Sequence, residues 1–125
     1  MPIVKIYGLS AGLRALPPEE ANRFVLELSI SIKREIAGVS ELGITTDHID
    51  VFVVADHNLK VNDVIVEVVG LTKKPERTHD VIQNVARIVR CAVGNTVGEF
   101  QFSVVGLIEV FVYSFDRTID GFSSE

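Results

Sequence analysis

The sequence predicts an α/β (α+β) fold, in which two copies of a β-α-β unit form a four-stranded mixed sheet with two helices on one face. Segments rich in β-branched residues alternate with longer segments whose apolar residues recur at helical spacing. Two short sequences recur, in order, in both halves of the chain. With 125 residues the chain can bury one ordinary core. We therefore expect a single domain over 1–125, with unit one at about 2–54, unit two at about 64–113 and a tail at 114–125.

The first unit reads as strand, helix and strand. Pro2–Leu9 is rich in Ile and Val and ends at a glycine-containing loop, which is typical of a strand. Pro18–Ala37 has a proline suited to the first helical position, followed by two glutamates at the positive end of the helix dipole. His48–Val54 is β-branched and aromatic, so it is predicted to be the second strand.

The second unit repeats this order. A nearly continuous β-branched segment, Val64–Leu71, predicts a strand, and the segment after it has helical periodicity up to a glycine. The remaining elements are a helix at Pro75–Val93 stopping at Gly94, a connection Gly94–Gly106 with a short edge strand at Phe100–Ser103, a strand at Leu107–Tyr113 and a polar tail at Ser114–Glu125.

The internal repeat is the most informative feature of the sequence. Ile49–Val53 matches Ile108–Val112 at an offset of 59 residues, with four identities in five. Gly8–Ser10 matches Gly70–Thr72 at an offset of 62 residues, and each follows a predicted strand. Two matches in the same order indicate a duplicated unit.

The repeat places opposite charges at equivalent positions, since Lys5 corresponds to Glu67. If the first and third strands are antiparallel across a local two-fold axis, the two side chains can meet as a cross-strand pair. The alternative is that both are simply solvated. The predicted strands are also apolar on both faces, whereas two helices cover only one, so we expect a homo-oligomer.

Charge and composition exclude several function classes. The net charge is -5 and the longest basic run is Lys73–Lys74, so the chain lacks the basic face that nucleic acid requires. No apolar run approaches the length of about 18 residues typical of a membrane span, and no leader precedes the first strand. We expect a cytoplasmic protein that binds neither nucleic acid nor membrane.

Metal and thiol chemistry are not predicted. Cys91 is the only cysteine, and its apolar helical context predicts a buried structural thiol. His48, His57 and His79 each adjoin an aspartate, but neighbouring strand residues point to opposite faces and no two histidines have helical spacing. We therefore expect no metal and no cofactor.

A chain that begins Met1-Pro2, opens a strand with that proline and contains two such units resembles the tautomerase superfamily, in its two-unit macrophage migration inhibitory factor type. The resemblance implies a trimer with active sites between subunits. It also implies that Met1 is removed, so that Pro2 carries a secondary amine that acts as a general base or nucleophile. Such an amine titrates near the working pH.

Further residues follow from the same resemblance. Members bind a carboxylate or enolate oxygen with basic residues after the first strand of a unit, which implies substrate contacts at Arg14 in unit one and at Lys73 and Lys74 in unit two. On the last strand, Tyr113 is expected to supply a hydroxyl or an apolar wall, with Phe111 beside it.

The sequence departs from the family pattern at one position. Asp50 occupies the second-strand position where single-unit members carry an arginine, and a carboxylate there repels an anionic substrate. Asp50 and Glu109 are equivalent in the repeat. They are either paired catalytic carboxylates or residues with a structural, channel-lining or subunit-contact role.

The leading functional hypothesis is an isomerase that shifts a proton on a small enol, keto acid or related carbonyl compound, with hydration or decarboxylation as variants. The alternative is a non-catalytic oligomeric binding or structural module, either a degenerate tautomerase or a ferredoxin-like domain with the same element order. Strand order separates the two folds: adjacent parallel strands one and two indicate a tautomerase, and adjacent parallel strands one and three a ferredoxin-like domain.

Overall fold

The structure is a computed structural model that describes residues 2–55, 63–100 and 106–115. Its strands are β1 (Ile3–Tyr7), β2 (Asp50–Val53), β3 (Val64–Thr72) and β4 (Ile108–Phe115). Its helices are α1 (Ser10–Ala15), α2 (Pro18–Ala37) and α3 (His79–Glu99). Two single 3-10 turns, Ser40–Leu42 and Thr46–His48, connect α2 to β2.

The four strands form one mixed sheet in the order β2-β1-β3-β4. Strands β1 and β2 are parallel, β3 and β4 are parallel, and the two central strands β1 and β3 are antiparallel. Strands one and two are therefore adjacent and parallel, which is the order expected for the tautomerase fold and not for a ferredoxin-like domain.

The sheet reproduces the internal repeat residue by residue. Ile3 pairs with Asp50 in the first unit, and Ile65 pairs with Glu109 in the second. These pairs are related by the same offsets of 62 and 59 residues that the sequence predicts. The next three pairs along each strand correspond in the same way. The duplicated β-α-β unit is thus confirmed as a local two-fold arrangement.

Lys5 and Glu67 lie directly opposite each other on the two central strands, as the repeat predicts. They do not form an ion pair within 4.0 Å, since the pairs of that length in the described ranges are both on α2. The Glu67 carboxylate instead accepts a hydrogen bond from Tyr7, which raises the pKa of the Tyr7 phenol above its ordinary value near 10. Glu67 therefore interacts with the neutral phenol of Tyr7 and not with the ammonium group of Lys5.

The hydrophobic core lies between the helices and one face of the sheet. Helix α2 contributes one buried residue about every turn, namely Phe24, Leu28, Ile32 and Ile36. The strands contribute Val4, Ile6, Val64, Val66, Val68 and Leu71, and α3 contributes Val85, Val89, Ala92, Val93 and Val97. Full burial of each large apolar side chain contributes about 1.5–3 kcal/mol, so this interface dominates the stability of the fold.

Helix α2 has the predicted bounds, but α3 does not. Its N-terminal cap is Thr78, whose hydroxyl accepts a hydrogen bond from the Val81 amide at 3.3 Å, so the helix begins later than Pro75. It also continues through Gly94 to Glu99, and the prediction that Gly94 ends it is wrong. The apolar stripe that the helix buries extends past this glycine, and its burial outweighs a helix penalty of about 1 kcal/mol for glycine.

Five further predictions need correction. The loop after β1 contains helix α1, and β2 is shorter than expected because His48 belongs to a 3-10 turn. Cys91 is exposed on α3 rather than buried, since the buried stripe of that helix passes through its neighbours Ala92 and Val93. In the predicted edge strand Phe100–Ser103, Phe100 is the C-terminal cap of α3, and the rest lies outside the described residues. The predicted tail starts inside β4, and 116–125 also lies outside them.

The face of the sheet opposite the helices, called here the outer face, is partly apolar. Phe52, Phe111 and Tyr113 are 53%, 43% and 49% exposed there. Neither long helix in the described ranges combines the length and apolar composition needed to cross a membrane. The outer face is an apolar surface on a folded chain, of the kind that a second copy covers in oligomers.

Candidate functional site

The strand directions bring both units together at one end of the sheet, called here the proline end. Because β1 is antiparallel to β3 and β4, β1 begins where β3 and β4 end. Pro2 thus lies near Thr72 and Phe115. Helix α2 ends and α3 begins at the same end, since each helix runs antiparallel to the strand before it. The predicted base and the loop after β3 are therefore neighbours within one chain.

Pro2 is buried at the start of β1. Its carbonyl oxygen accepts a hydrogen bond of 3.2 Å from the Asp50 amide, which fixes the residue against β2. By the alternation of the strand it lies on the same side as Val4 and Ile6, both fully buried. Proline suits this position because the first residue of a strand needs no ladder donor.

A bulge in β3 aligns Pro2 with Tyr113. Ile3 pairs with Val69, so the next position in the register sets Pro2 opposite Gly70. On the other side, the pairing of β3 with β4 shifts by one residue between Val68 and Leu71, which places Val69 and Gly70 together opposite Tyr113. Pro2, Gly70 and Tyr113 consequently form one row across three strands. Of the predicted substrate contacts on β4, Tyr113 is the one level with Pro2, but its side chain is on the outer face whereas Pro2 is on the face that the helices cover.

Lys73 and Lys74 leave β3 at the proline end. The Lys73 amide donates a hydrogen bond of 2.7 Å to the Phe115 carbonyl, which extends the β3–β4 pairing by one residue. Both side chains are exposed. The predicted lysines therefore supply positive charge at the proline end of the sheet.

Arg77 organises this end of the molecule and was not singled out from the sequence. Its Nη2 donates to the Leu42 carbonyl at 2.8 Å, and its Nη1 donates to the Thr72 carbonyl at 2.9 Å and to the Thr72 hydroxyl at 3.2 Å. It thereby links the turn after α2 to the end of β3. The buried Nε has no hydrogen-bond partner among the described residues. No local sequence signal separates Arg77 from the two lysines before it, because its acceptors are backbone atoms brought close by the fold.

The other two predicted contacts lie elsewhere in the chain. Arg14 is exposed in the last turn of α1, which follows the end of β1 opposite to Pro2. Within one chain, the structure therefore does not bring Arg14 to Pro2. Phe111 is on the outer face opposite Glu67, two residues before Tyr113. Its ring also lines a groove of about 800 Å³ between α3 and β4, together with Arg90 and Glu109.

The carboxylates of Asp50 and Glu109 are far apart in the sheet. Asp50 is on one edge strand and Glu109 on the other, with β1 and β3 between them, and both are exposed. The span of three strand spacings is about 14 Å. A paired catalytic role within one chain is therefore excluded, and a structural, channel-lining or subunit-contact role remains. Asp50 lies beside Pro2 because its backbone amide donates a hydrogen bond to the Pro2 carbonyl.

Possible metal ligands are dispersed in the part of the chain that the structure describes. Over the described ranges, no three or more His, Cys, Asp or Glu side chains are grouped so that they could hold a metal ion. His57 lies outside those ranges. His48 is used locally, since its Nδ1 accepts a hydrogen bond of 3.2 Å from the Thr45 amide.

A second groove, of about 620 Å³, lies between α2 and α3 on the side away from the sheet, and is lined by Arg34, Arg87 and Cys91 among others. Neither this groove nor the one beside β4 reaches Pro2.

Neither the known family models nor the sequences of characterised proteins match this chain. Several solved structures, however, are similar to it in fold. A fused 4-OT that forms an asymmetric trimer has a TM-score of 0.64 and 10% identity, over 98% of this chain and 94% of that chain. Macrophage migration inhibitory factor of Toxoplasma gondii has a TM-score of 0.60 and 11% identity, over 98% and 95%. A 5-carboxymethyl-2-hydroxymuconate delta-isomerase has a TM-score of 0.61 and 9% identity, over 100% and 87%.

These likenesses cover almost the whole chain and agree with the strand order, the parallel and antiparallel pairings and the repeat. At about 10% identity they bear on the fold and not on the reaction. The chain has the fold of the tautomerase superfamily, in its two-unit, macrophage migration inhibitory factor-like form.

Proposed function

We propose that this protein is a tautomerase-like isomerase that shifts a proton on a small enol, keto acid or related carbonyl compound, with the Pro2 nitrogen as general base. The observation that carries the proposal is the proline end itself. A buried Pro2 there is at the same end of the sheet as Lys73 and Lys74, and level with Tyr113 on the opposite face. The solved structures with this fold include an isomerase, which agrees with this reaction class.

The chemistry requires that Met1 be removed, because an amide nitrogen has no basic lone pair. An α-amino group titrates near about 7.7–8.0, close to the working pH, so an amine at Pro2 can both accept and donate a proton. The amine takes the proton from the enol hydroxyl and returns it to the α-carbon, giving the keto form. The same nitrogen accepts and donates, so the step needs no cofactor.

Substrate contacts in this proposal come from two copies of the chain. Lys73 and Lys74 attract the substrate carboxylate from the same chain as Pro2. Tyr113 is on the outer face of its chain, so it would offer its hydroxyl or an apolar wall to the site across a subunit interface. Arg14 lies at the opposite end of its own chain, so it would reach Pro2 only from a neighbouring subunit. Phe111 adds apolar surface on the outer face.

A homotrimer is the assembly we propose, since the outer face is apolar and a fused 4-OT with this fold is a trimer. Light scattering on the purified protein tests it. A monomer mass at micromolar concentration would contradict both the assembly and the contribution of Arg14.

The function is tested by the ketonisation of enol phenylpyruvate, followed by ultraviolet absorbance after intact mass has established that Met1 is absent. Pro2→Ala should lower kcat/KM by about 100-fold, a loss typical for a general base. Pro17→Ala is the matched control, because Pro17 is an exposed proline at the start of α2. Equal rates for Pro2→Ala and the wild-type protein would refute the proposal.

A second candidate is a non-catalytic oligomeric module with the same fold. It is favoured by Asp50, an exposed carboxylate whose backbone is bonded to Pro2 and which would repel an anionic substrate. An intact mass that retains Met1 would select this candidate, because Pro2 would then be an amide.

A further inference from the structure

Gly70 lies between the proposed base and Tyr113. The register of β1 with β3 sets it opposite Pro2, and the β3 bulge sets it opposite Tyr113. Its φ of 89° is in the region that side chains rarely adopt. A bulge with a glycine at this place removes a side chain from the middle of the row.

The repeat shows what occupies the corresponding space in the other unit. Gly8 is the equivalent of Gly70, with a φ of 96°, and it lies opposite Val64, the equivalent of Pro2. A Cβ on Gly8 would clash with the Asp63 carbonyl oxygen and would be 3.3 Å from the Val64 Cα. The space beside Gly8 is thus filled by the peptide group that precedes Val64.

By the repeat, the corresponding space beside Gly70 lies next to the Pro2 nitrogen, on the side away from Ile3. In a chain that begins at Pro2, no peptide group precedes the nitrogen, so that space is left to solvent or to a ligand. The space that backbone atoms fill beside Gly8 would therefore be open beside Gly70, next to the Pro2 amine, once Met1 is removed.

We propose that Gly70 is a specificity-determining residue: its missing side chain leaves the space into which the reacting carbon of the substrate fits beside the Pro2 nitrogen. This inference rests on the proposed function. A side chain at this position would occupy that space, so its absence sets how large a group can approach the nitrogen.

The test compares Gly70→Ala with Gly43→Ala. Gly43 also has a positive φ, of 64°, but nothing lies within 4 Å of its Cβ position, so this control carries the backbone strain without filling a site. For enol phenylpyruvate, Gly70→Ala should lose about 100-fold in kcat/KM, as expected when a reacting group is displaced by about 1 Å, whereas Gly43→Ala should stay within about two-fold of the wild-type protein. Circular dichroism and light scattering establish that both variants fold and assemble.

Gly70→Asn is a second variant, because asparagine tolerates positive φ better than alanine and also fills the space. Should Gly70→Ala fail to fold, the same loss is expected of Gly70→Asn. Wild-type kcat/KM within about two-fold in either folded variant overturns the inference, because a Cβ would then leave the site open.

Labelling of the Pro2 amine by cyanate tests the space without turnover. The modified N-terminal peptide is quantified by mass spectrometry, and its rate of formation should fall about ten-fold in Gly70→Ala but not in Gly43→Ala, since only the former narrows the approach to the nitrogen. An unchanged rate counts against the role of Gly70. If instead the wild-type enzyme shows no Pro2-dependent ketonisation, the proposed function fails, and cyanate labelling still decides whether Gly70 keeps the space open.

Discussion

Replacing Arg77 by methionine should destabilise the protein strongly although the residue is only half-buried. Arg77→Met keeps most of the apolar side chain and removes the hydrogen bonds to the carbonyl oxygens of Leu42 and Thr72, at 2.8 and 2.9 Å. A hydrogen bond from a charged donor contributes about 1.5–3 kcal/mol. Two such bonds give about 3–6 kcal/mol, and water can replace part of this at a half-buried site. We therefore expect the free energy of unfolding to fall by about 2–4 kcal/mol.

The assay is urea unfolding followed by circular dichroism, at one fixed protomer concentration because subunit association raises the apparent stability. With a slope of about 2 kcal/mol per molar urea, the midpoint should shift by about 1–2 M. Arg77→Lys should lose about half as much, since its ammonium can reach one of the two carbonyls. Arg87→Met is the control, because its 2.8 Å hydrogen bond to Asn84 is on the exposed face of α3. A change of less than about 0.5 kcal/mol for Arg77→Met would refute the reasoning.

Two further predictions concern the central strands. Gly8→Ala should lower the free energy of unfolding by about 2–4 kcal/mol, because the new Cβ would clash with the Asp63 carbonyl oxygen and the φ of residue 8 is strained for alanine. Gly43→Ala has the strained φ without the clash, so it should cost only about 1 kcal/mol. Equal urea midpoints for the two variants would contradict this prediction. The hydrogen bond to Glu67 raises the pKa of Tyr7, so the stabilisation is complete below the unfolded pKa near 10 and is lost as pH rises through the higher folded pKa. The difference in urea midpoint between wild-type protein and Tyr7→Phe should therefore shrink between pH 9 and pH 11, and a constant difference would contradict it.

The candidate site was predictable in part. Proline at the start of the first strand is a local feature, and the position of Pro2 at a strand end followed from it. Lys73 and Lys74 were expected near Pro2 from the repeat and the family resemblance, and the antiparallel central strands bring that loop to the same end. Arg14 was grouped with them because its loop is equivalent. The same two-fold axis that makes the loops equivalent sets them at opposite ends of the sheet.

The sequence by itself determined the order of the strands and long helices, the bounds of α2 and the repeat, because these depend on residue periodicity and on Pro and Gly signals within short segments. Tertiary structure decided whether α3 stops at Gly94, whether Cys91 is buried and what Arg77 binds. Each of these depends on what another element places beside the residue: the apolar face that continues under α3, the side of the helix turned to solvent, and two carbonyl groups distant in sequence. The row of Pro2, Gly70 and Tyr113 likewise arises only when three strands pair, because its register is set by a bulge that no local sequence pattern predicts.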